Sequence, residues 1–153
     1  MQISVMVNNI INKFDLLVIL GPTATGKTKL AVNIAADLNG EIISADSRQV
    51  YKGMNIGTGK DYEEYKLNGK TIPYHLIDIL NPNEEYNVFH FQKDFQTIFP
   101  KLIRKRKLPI LCGGTGFYIK AILMDFQLPN TTPNLTLRKE LETWTREDLI
   151  EEL

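Results

Sequence analysis

The octapeptide Gly21-Pro22-Thr23-Ala24-Thr25-Gly26-Lys27-Thr28 constrains this chain more than any other segment. It satisfies the pattern G-x-x-x-x-G-K-[ST]. In such a loop backbone N–H groups cradle phosphates, the lysine reaches the outer phosphates and the final hydroxyl can hold Mg²⁺. The pattern carries this meaning between a strand and a helix, and both are legible here. Leu16 to Leu20 is an all-apolar run, as expected of a strand covered on both faces. Beyond the loop, Leu30, Ile34 and Leu38 recur at helical spacing. The helix N-terminus therefore points its partial positive charge at the bound anion. Gly21 and Gly26 are expected to hold backbone angles that a Cβ resists. The expected ligand is a diphosphate or a triphosphate.

The same alternation continues down the chain. Glu41 to Ala45 reads as a second strand with Asp46 at its carboxyl end, followed by a long polar connection, Asp46 to Asp61, punctuated by Gly53, Gly57 and Gly59. A connection of that length inside a compact domain is usually functional or disordered. Asn68-Gly69 is a hairpin signal. His75 to Leu80 reads as a further strand. Asn87 can cap a helix whose apolar stripe is Val88, Phe91, Phe95, Ile98 and Leu102, and Pro100 within it is expected to kink or divide it. Arg104 to Lys107 ends this helix. The cluster admits nucleic-acid contact, but charges complementing a helix C-terminus are the simpler reading. Leu108 to Cys112 is the next strand, then Gly113-Gly114-Thr115-Gly116 and a helix from about Phe117 to Met124.

Strands alternating with helices predict an α/β fold, a P-loop-type parallel sheet with helices on both faces. Gly21–Thr28, Asp46 and Gly113–Gly116 each lie just past a strand's carboxyl end, where open α/β sheets bind ligands. After Leu128 the character changes. Pro129 to Pro133 reads as a linker, and Thr132 and Pro133 as cap and first-turn residues of a helix near Asn134 to Thr143. Thr145 and Asp148 have capping-box spacing for a second helix. The predicted organisation is a core over 1–128 and the beginning of a helical unit over 129–153.

The chain has 153 residues, enough for one domain with a real core. Eighteen basic residues balance 18 acidic ones, so net charge offers no argument for a polyanionic partner. Cys112 is the sole cysteine, which excludes an internal disulfide and a cysteine-based zinc site. It reads as a buried structural thiol, and a reducing, cytoplasmic setting fits. No apolar stretch approaches the ~18 residues that span a bilayer, and Met1 to Asp15 makes a poor signal peptide.

In the crevice, Asp46 is placed to hold Mg²⁺ or to act as a general base, with turn capping as the bland alternative. Thr115 is placed either to hydrogen-bond a ligand or simply to cap the following helix. The strand ending at Cys112 runs into Gly113, where many NTPases carry an aspartate, which weakens a hydrolase reading. His75, Asp78 and His90 read as structural.

These blocks together resemble the tRNA dimethylallyltransferase family, also called tRNA isopentenyltransferases. The resemblance rests on Gly21–Thr28, on Ile43-Ser44-Ala45-Asp46-Ser47-Arg48-Gln49-Val50-Tyr51-Lys52-Gly53-Met54-Asn55-Ile56-Gly57-Thr58-Gly59-Lys60, on His75 to Ile79, and on Gly113-Gly114-Thr115-Gly116-Phe117-Tyr118. It implies transfer of a dimethylallyl group from dimethylallyl diphosphate to N6 of an adenine beside the tRNA anticodon. Gly21 to Thr28 would hold the diphosphate, with Mg²⁺ on Thr28 and Lys27 neutralising the departing pyrophosphate. Asp46 would accept the N6 proton and Thr115 would help position the base. Ser47, Arg48, Gln49 and Arg138 would lie along the tRNA. The target base must leave its stack to react. Family members are longer, with a helical insertion that grips the anticodon arm and a returning segment carrying a diphosphate-binding arginine. The resemblance therefore implies weak tRNA binding and little activity for this chain alone. Three other readings compete: an adenylate isopentenyltransferase, a P-loop kinase or NTP-binding module, and a non-catalytic remnant.

Overall fold

Alternation of apolar residues along short strands lets one sheet carry two cores, because successive side chains point to opposite faces. The computed structural model describes residues 14–128 and 134–152. Its elements in chain order are β1 (Leu17–Leu20), α1 (Lys27–Leu38), β2 (Gly40–Ser44), a 3₁₀ turn (Tyr62–Tyr65), β3 (Lys66–Leu67), β4 (Lys70–Thr71), β5 (Tyr74–His75), α2 (Val88–Arg104), β6 (Leu108–Gly113), α3 (Gly116–Leu123), α4 (Leu135–Leu141) and α5 (Arg146–Glu151). Four strands form one parallel sheet in the order β1-β6-β2-β5. On one face Ile42, Leu108 and Ile110 pack with Ala31, Val32 and Ala35 of α1. On the other, Ile43 and Leu111 pack with Phe91, Phe95 and Leu102 of α2 and with Tyr118 and Ile119 of α3. The predicted α/β class, with helices on both faces, is the one observed.

Local signals located most of the elements. Asn68 and Gly69 both take positive φ, 51° and 74°, the two-residue turn that joins β3 to β4. Asn87 caps α2 by accepting from Phe89 and His90 N–H, and His90 Nδ1 accepts from Asn87 N–H at 3.4 Å in return. Thr145 and Asp148 form their capping box. The basic cluster lies just before β6, at the amino edge of the sheet and away from the crevice, with Lys101 and Arg104 in the last turn of α2.

Three expectations are corrected and a fourth is qualified. β1 packs toward both cores as read, Leu17 and Ile19 on one and Leu16 and Val18 on the other, but among the described strands it lies at the sheet's edge and is half-buried, with Leu20 56% exposed. The strand expected over His75 to Leu80 stops at His75, because Leu76 and Asp78 adopt left-handed φ of 63° and 55°, which breaks the pleat. Residues 78–80 are instead tied to the 49–51 segment by Asp78 N–H to Gln49 O, Ile79 N–H to Val50 O and a Tyr51–Leu80 bridge. Pro100 does not divide α2, which runs unbroken from Val88 to Arg104. The proline sits near the C-terminal end, where it forfeits one backbone bond while Phe91, Phe95 and Leu102 remain buried. Finally, α4 is capped by Asn134, whose side chain accepts from Leu137 N–H. The expected cap and first-turn residues, Thr132 and Pro133, lie outside the described residues, as do the rest of the linker 129–133 and most of the Met1–Asp15 segment. No described residue of α4 or α5 is buried. Among the described residues no helix is long and apolar enough to cross a membrane.

Candidate active site

Because β1, β6 and β2 are neighbours and parallel, the loops that leave them emerge side by side. Leu20 pairs with Gly113 and Ser44 with Cys112 at the sheet's carboxyl edge. A cavity of about 390 Å³ opens there. One wall is Thr23 to Thr28, another is Asp46, Arg48 and Gln49 with Asn55 and residues 57–61, and Glu64, Tyr65, Cys112, Gly113 and Gly114 complete the lining.

The phosphate-loop pattern folds as a strand-to-helix turn. Gly26 has φ 77° and ends directly in α1, and Leu30 N–H closes the first helical bond on Gly26 O. The conformational demand expected at Gly21 is absent: it lies outside the left-handed region, and an added Cβ would meet only ordinary contacts, at 3.5 Å or more. The second left-handed residue is instead Ala24, at φ 61°. Thr25 Oγ1 donates to Pro22 O at 2.8 Å, and Lys27 Nζ donates to the same carbonyl. Thr28 lines the cavity at the first turn of α1.

The glycine after Cys112 has a steric reason. A Cβ on Gly113 would stand 2.2 Å from Ala45 O, 2.4 Å from Ala45 C and 2.8 Å from Ala45 Cα. The chain leaving β2 crosses there, bonded by Ala45 N–H to Cys112 O at 2.8 Å and by Thr115 N–H to Ala45 O at 3.0 Å. No side chain fits at 113, aspartate included. The crossing carries Asp46 and Ser47 to the residues after β6. Ser47 N–H donates to Thr115 Oγ1 at 3.0 Å, and the Thr115 hydroxyl makes a longer bond to Ser47 Oγ at 3.4 Å. Thr115 makes no side-chain cap on α3, so its hydroxyl holds the Asp46–Ser47 turn instead.

Asp46 does cap a turn. Its Oδ1 accepts from Arg48 N–H at 2.9 Å, with Arg48 Nε 3.8 Å away. A carboxylate has about four lone-pair sites, so this bond leaves acceptor capacity in a group that lines the cavity. Gln49 is a bracket: Oε1 accepts from Ser44 Oγ at 2.9 Å and Nε2 donates to Gly59 O at 3.0 Å. The Arg48 side chain is half exposed. Arg138 is exposed on α4.

Sequence reasoning missed one structural device. The Lys60 side chain is fully buried; Nζ donates to Asp78 Oδ1 at 2.6 Å and to Tyr51 O. Tyr62 OH donates to Asp78 Oδ2. This network ties together the 51, 60–62 and 78 segments and so fixes both ends of the glycine-rich connection. Burial pushes the Asp78 carboxyl up, but bonds from Lys60 and Tyr62 outweigh it and hold it below its ordinary value. The Asp78 bond, then burial, push the Tyr62 phenol up to about 12. A lysine beside Gly59 in a loop without periodicity was the sole signal. His75 pairs with Glu41 at 2.8 Å, and His90 belongs to the α2 cap, so both are structural as read. Cys112 is buried as expected, and burial pushes its thiol up to about 11, with Lys27 acting in the opposite sense.

An IPP transferase family model matches residues 49–153, and an isopentenyl transferase model matches residues 14–77. The chain belongs to the IPP transferase family. It is 54% identical over 139 residues to tRNA dimethylallyltransferase 1 of Azobacteroides pseudotrichonymphae, covering 91% of this chain and 45% of that protein. It is also 54% identical over 136 residues to the Parabacteroides distasonis protein of the same name, covering 89% of this chain and 44% of that protein. The crystal structure of the tRNA isopentenylpyrophosphate transferase of Bacillus halodurans superposes with a TM-score of 0.70 at 39% identity, over 90% of this chain and 46% of that one. A eukaryotic dimethylallyltransferase acting on tRNA superposes with a TM-score of 0.65 at 26% identity, over 90% and 37%. The chain thus spans about half the length of the IPP transferases it matches, and it corresponds to their N-terminal half.

Proposed function

We propose that this chain carries the donor site and the proton acceptor of a tRNA dimethylallyltransferase. The observation that supports this most is the convergence on one cavity of a phosphate loop, a carboxylate and a hydroxyl-bracketed turn, in a chain of the IPP transferase family. The N–H groups of Gly21 to Thr28 and the Lys27 ammonium bind the diphosphate of dimethylallyl diphosphate. To do so Lys27 exchanges its Pro22 carbonyl for a phosphate oxygen, which opposes the negative charge that grows on the leaving group. The adenine N6 lone pair forms a bond to the allylic carbon while that carbon's bond to the diphosphate oxygen breaks. Asp46 accepts the N6 proton, and Thr115, through the Ser47 turn, sets where Asp46 stands.

The Thr28 hydroxyl, which lines the cavity, suits Mg²⁺, an ion commonly held by few protein ligands plus substrate phosphates and water. When bound, the ion neutralises diphosphate charge. Ser47, Arg48 and Gln49 line the route of the tRNA, and Arg138 lies on the helical unit that begins near 129. We place the activity in the cytoplasm. Since the chain spans about half of its relatives, we further propose that by itself it binds tRNA weakly and turns over slowly.

The test is the melting-temperature shift with Mg²⁺ and either dimethylallyl diphosphate or ATP, in wild type and Lys27→Ala. A ligand that binds only the folded state adds about 2.7 kcal/mol at a hundred times its dissociation constant. A larger shift with dimethylallyl diphosphate, lost in Lys27→Ala, is expected. A shift with ATP alone refutes the donor assignment and favours a nucleotide-binding module.

A further inference from the structure

The glycine-rich connection displays an apolar side chain that the reaction described above does not use. Ile56 is 97% exposed and Met54 43% exposed. A singly exposed apolar residue is ordinary on a loose surface loop, but this loop is fastened. Its backbone turns back on itself through Gly53 and Gly57, at φ 72° and 76°. Asn55 N–H bonds Gly53 O at 3.1 Å. Thr58 is buried, and its hydroxyl donates to Met54 O at 2.6 Å. Gln49 holds Gly59 O, and the buried Lys60 locks the base of the loop. The apolar tip is therefore held out in one place.

That place is the rim of the crevice. Asn55, Gly57 and Thr58, on either side of Ile56, line the same cavity as Asp46 and the phosphate loop. The rim carries both signs: Arg48, Lys52 and Lys60 fall within residues 47–60, and Asp46, Asp61 and Glu64 line the same cavity. Lys60 is paired to Asp78 and Arg48 Nε lies 3.8 Å from Asp46, while Lys52 is exposed in the same connection. A fixed apolar point at the rim of the cavity read above as the adenine's site fits the apolar faces of the RNA bases beside that adenine. Apolar side chains serve as wedges between nucleic-acid bases elsewhere.

We propose that Ile56 inserts against the bases flanking the reacting adenine and fills the stack that the adenine vacates. The inference rests on the tRNA reading above. Its test uses a hairpin RNA with 2-aminopurine replacing the adenine beside the anticodon, whose fluorescence rises on unstacking, together with the purified chain, Ile56→Ser and Ile56→Leu. RNA affinity and fluorescence are read separately, beside the melting shift with dimethylallyl diphosphate and Mg²⁺. Expected is a fluorescence gain at saturating wild-type chain, reduced roughly fivefold or more in Ile56→Ser and restored in Ile56→Leu, with the donor-induced melting shift unchanged. An undiminished gain in Ile56→Ser, or RNA bound by wild type with no gain, overturns the wedge and leaves the transferase reading standing. Loss of the donor-induced shift in Ile56→Ser also overturns it, since the side chain then serves the fold. Wild type that takes up the donor but binds no RNA overturns the tRNA reading and the wedge with it.

Discussion

Gly113→Ala is the sharpest perturbation this structure offers, because one methyl group lands where two chain segments cross. The added Cβ would lie 2.2 Å from Ala45 O and 2.4 Å from Ala45 C, where ordinary contact begins at 3.4 Å. The obstructing atoms are backbone, so no rotamer change relieves the overlap. β2 and β6 must separate by about 1 Å at their carboxyl ends, against the Ala45 N–H to Cys112 O and Thr115 N–H to Ala45 O bonds. Overpacking of a core costs ~1–3 kcal/mol, and a rigid obstruction places this case near ~3 kcal/mol. For a domain of this size each kcal/mol is worth roughly 2–4 °C, so the melting temperature should fall by ~6–12 °C. Ala45 also carries Asp46, so the melting shift with dimethylallyl diphosphate and Mg²⁺ should shrink as well. Gly116→Ala is the matched control: a Cβ there meets nothing within 4 Å, and the residue opens α3. That control should be neutral or stabilising by up to about 1 kcal/mol. Thermal denaturation followed by circular dichroism decides the matter. A Gly113→Ala protein melting within ~2 °C of wild type would refute the steric account.

The Lys60 network leads to two further outcomes. Lys60→Met should cost ~2 kcal/mol in urea denaturation, less than the ~3–5 kcal/mol of a fully buried pair because Asp78 stays 30% exposed. It should also speed amide exchange across residues 52–60, and unchanged exchange there would show that the lysine does not anchor the loop. The pH dependence has a definite sign at each end. Asp78 is held low in the fold, so its contribution is present above the unfolded carboxylate value of ~3.9 and is lost as pH falls through the folded one. Tyr62 is raised to about 12, so its contribution is present below the unfolded value of ~10 and is lost as pH rises toward about 12. Urea midpoints measured across pH should flatten at the acid end in Asp78→Asn and at the alkaline end in Tyr62→Phe; slopes matching wild type would dissociate these groups from the loop clamp.

The sequence by itself determined whatever a few consecutive residues control. The phosphate-loop turn with its left-handed Gly26, the Asn68-Gly69 hairpin, the Asn87 and Thr145 caps and the two-faced alternation of β2 and β6 all arise from local backbone preference and from the side-chain period of a strand or helix. Only the tertiary structure decided the features that depend on which distant segment lies alongside. β1 carries the same apolar run as a central strand, yet no described strand pairs with its outer side. Gly113 looked like the loss of an aspartate until the β2 crossing made it a steric requirement. Thr115 could cap a helix or serve the crevice, and the Ser47 N–H, 68 residues away, decided between them. Lys60 and Asp78 are 18 positions apart in segments with no common period, and they meet because Asp78 turns through a left-handed angle and Lys60 has no solvent to reach. Local preferences are summed over neighbours in the chain, whereas burial and charge pairing act between whatever the fold brings within a few ångströms.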